Sequence, residues 1–283
     1  MMPALPAGAC DAHCHIFGPA SVYPYDPARS YTPEDAPREA LFELHRSLGI
    51  DRAVLVQPNA HGFDHRAMID AIAASGGRYR GVALVPFDIG DEALDILDRN
   101  GIRGIRYNFL PHLSPPPPLD AFRDMMKRIE RLGWHVVLHV GGADLPVLRP
   151  YLEGLPVPAV IDHLGRIDAG AGLDQEPFRA LLDFARRPDV WIKISGCDRA
   201  SAAGAPWRDV IPFVRRIVDA APDRILWGTD WPHPNIKGPV PDDLALLGLC
   251  HEILGDDGLL RAVLVDNPAR LYSFDNECGL LRP

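Results

Sequence analysis

The sequence predicts an α/β protein, a (β/α)8 TIM barrel that forms a single domain over residues 1–283. Three observations lead to this prediction: eight short apolar runs, helical periodicity in the segments between them, and a spacing of about 30 residues, the length of one βα unit. The runs are rich in Val and Ile with little alternation, as in parallel strands buried on both faces. A doubly wound open sheet is the main alternative, but eight strands can close a sheet and leave no exposed edge.

The predicted elements follow one another along the whole chain. The strands start at Ala9, Ala53, Gly81, Gly101, His135, Pro158, Val190 and Arg224. Apolar stripes at helical spacing predict helices that include 41–50, 93–97, 122–132, 178–184 and 213–218. We expect three further histidines to be solvated on helices, namely His45, His65 and His251. Residues 18–36 are too rich in Pro and Tyr for a helix, which predicts a long loop over the barrel mouth.

The composition excludes two classes of partner. The chain has 29 Lys and Arg against 38 Asp and Glu, a net charge of −9 at pH 7, whereas a nucleic-acid-binding surface must be cationic. No apolar run approaches the roughly 20 residues that span a bilayer, and the N-terminal segment lacks the pattern of a signal peptide. The five cysteines are odd in number and scattered, which favours a reduced, cytoplasmic protein. The oligomeric state stays open.

Histidines and acids fall at the ends of the predicted strands. In a parallel barrel all strand C-termini lie on one face, so these five side chains should converge: His13, His15, His139, His163 and Asp230. The two residues of the H-x-H pair point to the same side of a strand and can share one ligand. Three imidazoles and a carboxylate suit Zn²⁺, which leaves one position open for water.

Five segments resemble the amidohydrolase superfamily, most closely the group of 2-pyrone-4,6-dicarboxylate lactonases and 4-sulfomuconolactone hydrolases. They are CDAHCHIFGP from Cys10, RGIRYNF from Arg103, GWHVVLH from Gly133, VIDHLGR from Val160 and LWGTDWPHPN from Leu226. The resemblance implies a lactonase that opens a small anionic lactone, muconolactone-like or a pyrone dicarboxylate, in aromatic-compound catabolism. Asp230 would deprotonate the attacking water, and His163 would stabilise the developing oxyanion.

The same resemblance implies which residues hold the acid groups of the substrate. Guanidinium groups bind planar carboxylates well, and the matching positions are Arg106, Arg199 and Asn235, with Arg166 beside His163. Asn59, after the second strand, is a further candidate for the pocket. These arginines would supply the local positive charge that an acidic protein needs in order to bind an anion.

Two positions depart from the lactonase pattern. His139 stands where the 2-pyrone-4,6-dicarboxylate lactonases have a tyrosine, and His112 stands where they have a carboxylate-binding arginine. His139 completes the set His13, His15, His139 and Asp230, which resembles mononuclear zinc ligands elsewhere in the superfamily. We therefore expect one zinc ion, with a metal-free mechanism as the alternative. The competing functions are a metal-dependent non-oxidative decarboxylase, a sugar-acid lactone hydrolase or isomerase, and a binding protein without activity.

Overall fold

A computed structural model describes residues 4–113, 115–236 and 238–274. Eight parallel strands lie side by side in sequence order. They are β1 (Cys10–Cys14), β2 (Arg52–Val56), β3 (Tyr79–Ala83), β4 (Ile102–Asn108), β5 (His135–His139), β6 (Ala159–Ile161), β7 (Val190–Lys193) and β8 (Ile225–Leu226). The predicted barrel is confirmed.

The seam between the first and last strands is joined by backbone hydrogen bonds. The Ala12 N–H donates to the Trp227 carbonyl over 2.8 Å, and the Asp230 N–H donates to the His13 carbonyl over 2.8 Å. Gly228 makes this approach feasible, because a Cβ there would lie 2.5 Å from the backbone nitrogen of His13. The first and last strands therefore meet where His13 and Asp230 project.

Eleven α-helices occur among the described residues. They are α1 (Arg38–Leu48), α2 (Arg66–Ala74), α3 (Asp91–Arg99), α4 (Leu119–Glu130), α5 (Arg149–Leu152), α6 (Glu176–Ala185), α7 (Cys197–Ala200), α8 (Ile211–Ala220), α9 (Asp243–Leu254), α10 (Asp257–Arg261) and α11 (Asn267–Leu271). The five predicted helical segments correspond to α1, α3, α4, α6 and α8. In the described part of the chain, no helix is both long enough and apolar enough to cross a bilayer.

The segment 18–36 contains neither a helix nor a regular strand. It begins and ends beside one isolated bridge between Phe17 and Ala36, and the Asp26 N–H donates to the carbonyl of Ala60 over 2.8 Å. Tyr31, near its middle, lines the pocket described below.

A buried polar network fixes β1 against the segment that follows β8. The Asp11 carboxylate accepts the N–H of His13 over 3.0 Å, the N–H of Thr229 over 3.1 Å and the Thr229 hydroxyl over 2.6 Å. His45 reaches in from α1, with Nε2 3.2 Å from Asp11 and Nδ1 2.6 Å from the Tyr79 hydroxyl. The expectation that His45 is solvated is wrong: it is 2% exposed, because its ring links a helix to the barrel.

Apolar side chains from most strands fill the barrel interior, and the end of the described chain covers its amino-terminal end. Val54, Val137 and Leu226 belong to this inner cluster together with Tyr272. The ring of Tyr272 lies 5.1 Å from that of His135, the first residue of β5. Its hydroxyl is buried and has no hydrogen-bond partner among the described residues.

Substitutions of Tyr272 therefore test how much this cover over the amino-terminal end of the barrel contributes to stability. Tyr272→Ala should lower the free energy of unfolding by about 3–5 kcal/mol, because a large buried ring is replaced by a cavity. Tyr272→Phe should leave stability within about 1 kcal/mol of the wild type, because it removes only a buried hydroxyl without a partner. Urea denaturation of both variants measures this, and a large cost for Tyr272→Phe would contradict it.

Candidate active site

The carboxyl ends of the strands surround a pocket of about 1020 Å³. All of the predicted site residues except His13 line it: His15, Asn59, Arg106, His139, His163, Arg166, Arg199, Asp230 and Asn235. His13 lies directly behind, fully buried, with its Nε2 3.6 Å from Oδ1 of Asp230. The fold thus brings together residues that are more than 200 positions apart in the sequence.

Asp230 faces three imidazoles with one carboxylate oxygen. Its Oδ1 lies 3.3 Å from Nε2 of His15, 3.6 Å from Nε2 of His13 and 3.9 Å from Nε2 of His163. The other oxygen, Oδ2, accepts a hydrogen bond from Nε of Arg199 over 2.9 Å and lies 2.8 Å from its Nη2 in an ion pair. The carboxylate is therefore held between a guanidinium on one side and a group of rings on the other.

The charge of Asp230 is stabilised by these neighbours. Burial acts to raise the pKa of the Asp230 carboxyl, but Arg199, His163 and the hydrogen bond from His15 outweigh it and hold the pKa well below its usual range. Burial lowers the pKa of His163 to about 4, so that ring is neutral at pH 7. A carboxylate base thus lies beside a neutral imidazole.

Each imidazole is oriented by a contact on its far side. His15 Nδ1 donates to the Val56 carbonyl over 2.7 Å, and Nε2 is the nitrogen that faces Asp230. His163 Nδ1 lies 3.0 Å from the Ser195 hydroxyl. These contacts fix which nitrogen faces the pocket.

A buried ion pair lies behind His13. Lys193, on β7, places Nζ 3.0 Å from Oδ1 of Asp162 and 3.0 Å from Nδ1 of His13, and all three side chains are 0% exposed. Burial acts to raise the pKa of Asp162, but Lys193 and His13 hold it well below its usual range. The sequence analysis did not identify Lys193 or Asp162 as site residues, although a lysine inside an apolar strand run was a usable signal.

His139 occupies a different environment from the other histidines. Its Nδ1 contacts the guanidinium of Arg106 and lies 2.9 Å from Oδ1 of Asn108, while Nε2 lies 3.5 Å from Nη1 of Arg166. Burial and then Arg106 lower its pKa well below the usual value. The centre of the His139 ring is 5.4 Å from that of the His163 ring. Because Arg106 lies beside one of its nitrogens and Arg166 beside the other, His139 lies on the arginine side of the pocket.

Several pocket residues adopt backbone angles that L-residues rarely occupy. His163, Arg166, Asp230 and Asn235 have φ values of 51°, 51°, 67° and 57°. Such conformations cost free energy and persist only where surrounding contacts hold them. They turn the chain sharply after β6 and β8, and this directs the side chains into the pocket.

Two aromatic residues complete the wall and were not identified from the sequence. Tyr31 comes from the 18–36 segment, and Trp207 precedes α8. Burial raises the pKa of Tyr31 to about 12, so its hydroxyl stays protonated near neutral pH. The charged groups of Arg106, Asp230 and Arg199 are close enough to Tyr31 to act on its hydroxyl.

The donor atoms near Asp230 fit a metal ion. Single ligand atoms of His13, His15 and Asp230 lie within 4.8 Å of one another, as do those of His13, Asp162 and His163. His13 Nε2 is buried and has no hydrogen-bond partner among the described residues, while Asp162 lies beside the opposite nitrogen, as in carboxylate–histidine–metal arrangements. His139 is in neither group. One divalent ion would therefore be held by His13, His15 and Asp230.

The fold and this site define a hydrolase-type (β/α)8 barrel with a pocket of histidines, arginines and an aspartate, and the family is established by similarity. The chain belongs to the amidohydrolase family, whose model matches residues 10–274. It is 46% identical over 277 residues to a 2-pyrone-4,6-dicarboxylate hydrolase of Comamonas testosteroni, covering 95% of this chain and 91% of the relative.

Two further relatives agree with this placement. A 4-sulfomuconolactone hydrolase of Rhizobium radiobacter is 41% identical over 272 residues, covering 95% of this chain and 91% of that protein. A solved structure from Pseudomonas putida, described as a 2-pyrone-4,6-dicarboxylic acid hydrolase, superposes with a TM-score of 0.84 at 33% identity, covering 96% of this chain and all of that one. These relatives are lactone hydrolases, as the motif resemblance implied.

The Lys193–Asp162 pair should make a large and coupled contribution to stability. Lys193→Met should cost about 3–5 kcal/mol, because it leaves a buried carboxylate without its cation. The double variant with Asp162→Asn should cost clearly less than the sum of the two single variants.

Chemical denaturation of the four proteins in this cycle measures the coupling. Lys127→Met is the control, because Lys127 pairs with Asp124 on the surface with 70% and 73% of the side chains exposed, and its loss should cost less than about 1 kcal/mol. Additive losses in the buried pair would contradict the assignment.

Proposed function

We propose that this protein is a lactonase that opens a small anionic lactone, muconolactone-like or a pyrone dicarboxylate, by water attack on the ring carbonyl. The observation that carries the proposal is the juxtaposition of an ionised carboxylate, Asp230, with the imidazoles of His13, His15 and His163 in a pocket that also contains three arginines. Relatives with the names of lactone hydrolases support the reaction type.

The arginines suit the acid groups of such a substrate. Arg199 is paired with Asp230, and Arg106 lies 3.5 Å from Asp162. No carboxylate among the described residues lies within ion-pair distance of Arg166, so its charge is available to a ligand. We propose that Arg106 and Arg166, with Arg199, Asn235 and Asn59, position the carboxylate or sulfonate of the substrate.

The chemistry follows from the charge states of the site. Asp230 is ionised and takes the proton of the attacking water as the C–O bond forms. The neutral His163 donates or relays a hydrogen bond to the oxygen that gains negative charge at the carbonyl. The arginines hold the acid groups of the ring, so that the carbonyl carbon stays near the water.

We propose one zinc ion as the cofactor, held by His13, His15 and Asp230, whose donor types are those zinc prefers. Bound at this place, zinc would lower the pKa of a water molecule to about 7 and so make hydroxide available at neutral pH. His139 was predicted as a fourth ligand; it would need to turn away from Arg106 to reach the ion. The four described free cysteines, Cys10, Cys14, Cys197 and Cys250, are all buried, in keeping with a proposed cytoplasmic location.

Lactone opening can be tested directly with the purified protein. We expect 2-pyrone-4,6-dicarboxylate or 4-sulfomuconolactone to be hydrolysed, with the loss of ring absorbance matched by proton release in a pH-stat. Asp230→Asn should lower kcat by about 10²–10⁴-fold, because it removes the base. Release of carbon dioxide without ring opening would favour a decarboxylase and contradict the proposal.

The metal is tested in the same preparation. We expect about one equivalent of zinc by elemental analysis, with activity lost on chelation and restored by zinc. Substoichiometric metal in a fully active protein would overturn the zinc assignment and leave the hydrolysis itself standing.

The pH dependence should report the interaction between Arg199 and Asp230. The base acts only when it is ionised, and Arg199 lowers the pKa of Asp230. Arg199→Gln should therefore move the acidic limb of kcat against pH to higher pH. Arg199→Lys, which retains the positive charge, should move it less, and an unchanged limb in both variants would show that another group titrates there.

A further inference from the structure

Thr229, the residue before Asp230, is fully buried and lies outside the pocket wall that the described residues form. Its hydroxyl nevertheless makes two hydrogen bonds: it donates to Oδ2 of Asp11 over 2.6 Å and accepts the N–H of Trp231 over 3.0 Å. The N–H of Thr229 donates to the other oxygen of Asp11 over 3.1 Å. Both residues that flank Asp230 in the sequence are therefore held through one hydroxyl.

Asp11 joins this segment to the strand that carries His13. Its Oδ1 also accepts the N–H of His13 over 3.0 Å, and its Oδ2 lies 3.2 Å from Nε2 of His45. Gly228 permits the approach, because a Cβ there would lie 2.9 Å from Oδ1 of Asp11. A single buried carboxylate thus contacts the backbone of both β1 and the segment after β8.

The hydrogen bonds around Asp11 indicate a structural anchor and not an ion site. Its carboxylate, Cys14 and His45 have ligand atoms within 4.8 Å of one another. However, the His45 ring already lies between Asp11 and the Tyr79 hydroxyl, 3.2 Å from one and 2.6 Å from the other. Cys14 Sγ donates to the Val54 carbonyl over 3.7 Å. Each group has a protein partner, so the cluster supports the backbone and offers no open coordination position.

The backbone of Asp230 needs this support. Its φ of 67° lies in the left-handed region, which costs an L-residue free energy and persists only where the surroundings hold it. The Asp230 N–H donates to the His13 carbonyl over 2.8 Å. The N–H of His15 donates to the Trp231 carbonyl over the same distance of 2.8 Å. Arg199 holds the far end of the Asp230 side chain, whereas the direction in which that side chain leaves the backbone depends on the flanking residues.

We propose that Asp11 and Thr229 are positioning residues that hold Asp230 in its left-handed conformation and so set the distance between its carboxylate and the imidazoles of β1. Neither residue touches the substrate or the reacting atoms. For its effect on rate the inference rests on the proposed lactone hydrolysis, whereas its effect on geometry does not. Because a misplacement of about 1 Å can lower a rate about 100-fold, the loss of one hydroxyl outside the pocket should be visible in kcat.

The test compares two substitutions at position 229. Thr229→Val preserves the shape of the side chain but removes the hydroxyl, whereas Thr229→Ser keeps the hydroxyl. Tyr151→Phe is the matched control, because it also removes a buried hydroxyl, one that donates to the Pro117 carbonyl over 2.6 Å. Tyr151 belongs to α5 and lies outside the pocket wall that the described residues form.

We expect Thr229→Val to lower kcat by about 10–100-fold, with KM within about 3-fold of the wild-type value. A displaced base slows the chemical step, while the arginines that bind the acid groups of the substrate are unchanged. Thr229→Ser should retain kcat within about 3-fold, and Tyr151→Phe should retain both constants. Thr229→Val and Tyr151→Phe should both lower Tm by a few degrees, so the control separates a loss of stability from a loss of positioning.

Three kinetic outcomes would overturn the assignment and leave the lactonase proposal intact: an unchanged kcat in Thr229→Val, an equal loss in Thr229→Ser, or a change confined to KM.

The double variant Asp11→Asn with Thr229→Val tests the pairing, because two residues that act through one hydrogen bond lose that interaction only once. Its kcat should lie within about 3-fold of that of the slower single variant. A loss equal to the product of the two single losses would contradict the pairing. If Asp11→Asn does not fold, the comparison at position 229 decides the question alone.

Crystal structures of the wild type and of Thr229→Val read the position of the base directly. The distance between Oδ1 of Asp230 and Nε2 of His15, which is 3.3 Å, should differ between the two proteins by about 0.5 Å or more. An unchanged distance would overturn the assignment. This measurement needs no substrate: if the wild-type protein opens no lactone, the proposed function is wrong, and the geometry still decides whether Thr229 positions Asp230.

Discussion

An ionised carboxylate kept inside a protein must be compensated by its immediate neighbours, and this requirement organises the pocket around Asp230. The side chain is 3% exposed, so water contributes little to its solvation. Arg199 and the imidazoles supply that stabilisation, and they also form the wall that a ligand would contact. The position of each of these residues is thus decided by charge as well as by shape. The unpaired guanidinium of Arg166 then gives a positive local field in a chain of net charge −9.

The sequence was sufficient for the fold and for the polar residues at the strand ends that line the pocket, because both depend on order along the chain. Apolar runs at regular spacing define buried parallel strands, and polar residues at their ends must meet at one rim. What it could not supply were contacts made across the barrel. Lys193 reads as an alternating polar residue of a strand and His45 as the polar face of a helix. Each is buried because its partner is distant in sequence: Asp162 directly follows the neighbouring strand β6, and Asp11 lies on β1.

The direction of side chains at strand ends was equally inaccessible. His139 follows the same pattern in sequence as His163, yet one is turned toward Arg106 and the other toward Asp230. The left-handed backbone at His163 and Asp230 decides how these residues project. His and Asp adopt it more often than most residues do, but this preference does not identify which of the many His and Asp residues will do so. Such angles are stabilised by the surrounding hydrogen bonds rather than by the residues that adopt them.

The seam between β1 and the segment after β8 has a consequence for biosynthesis. The imidazoles at positions 13 and 15 are synthesised first, whereas the carboxylate at 230 and the glycine that permits its approach are added more than 200 residues later. A nascent chain therefore carries the two histidines of β1 for most of its synthesis and gains the aspartate that faces them only as the barrel closes. Competence for chemistry appears late, in the same event that completes the barrel.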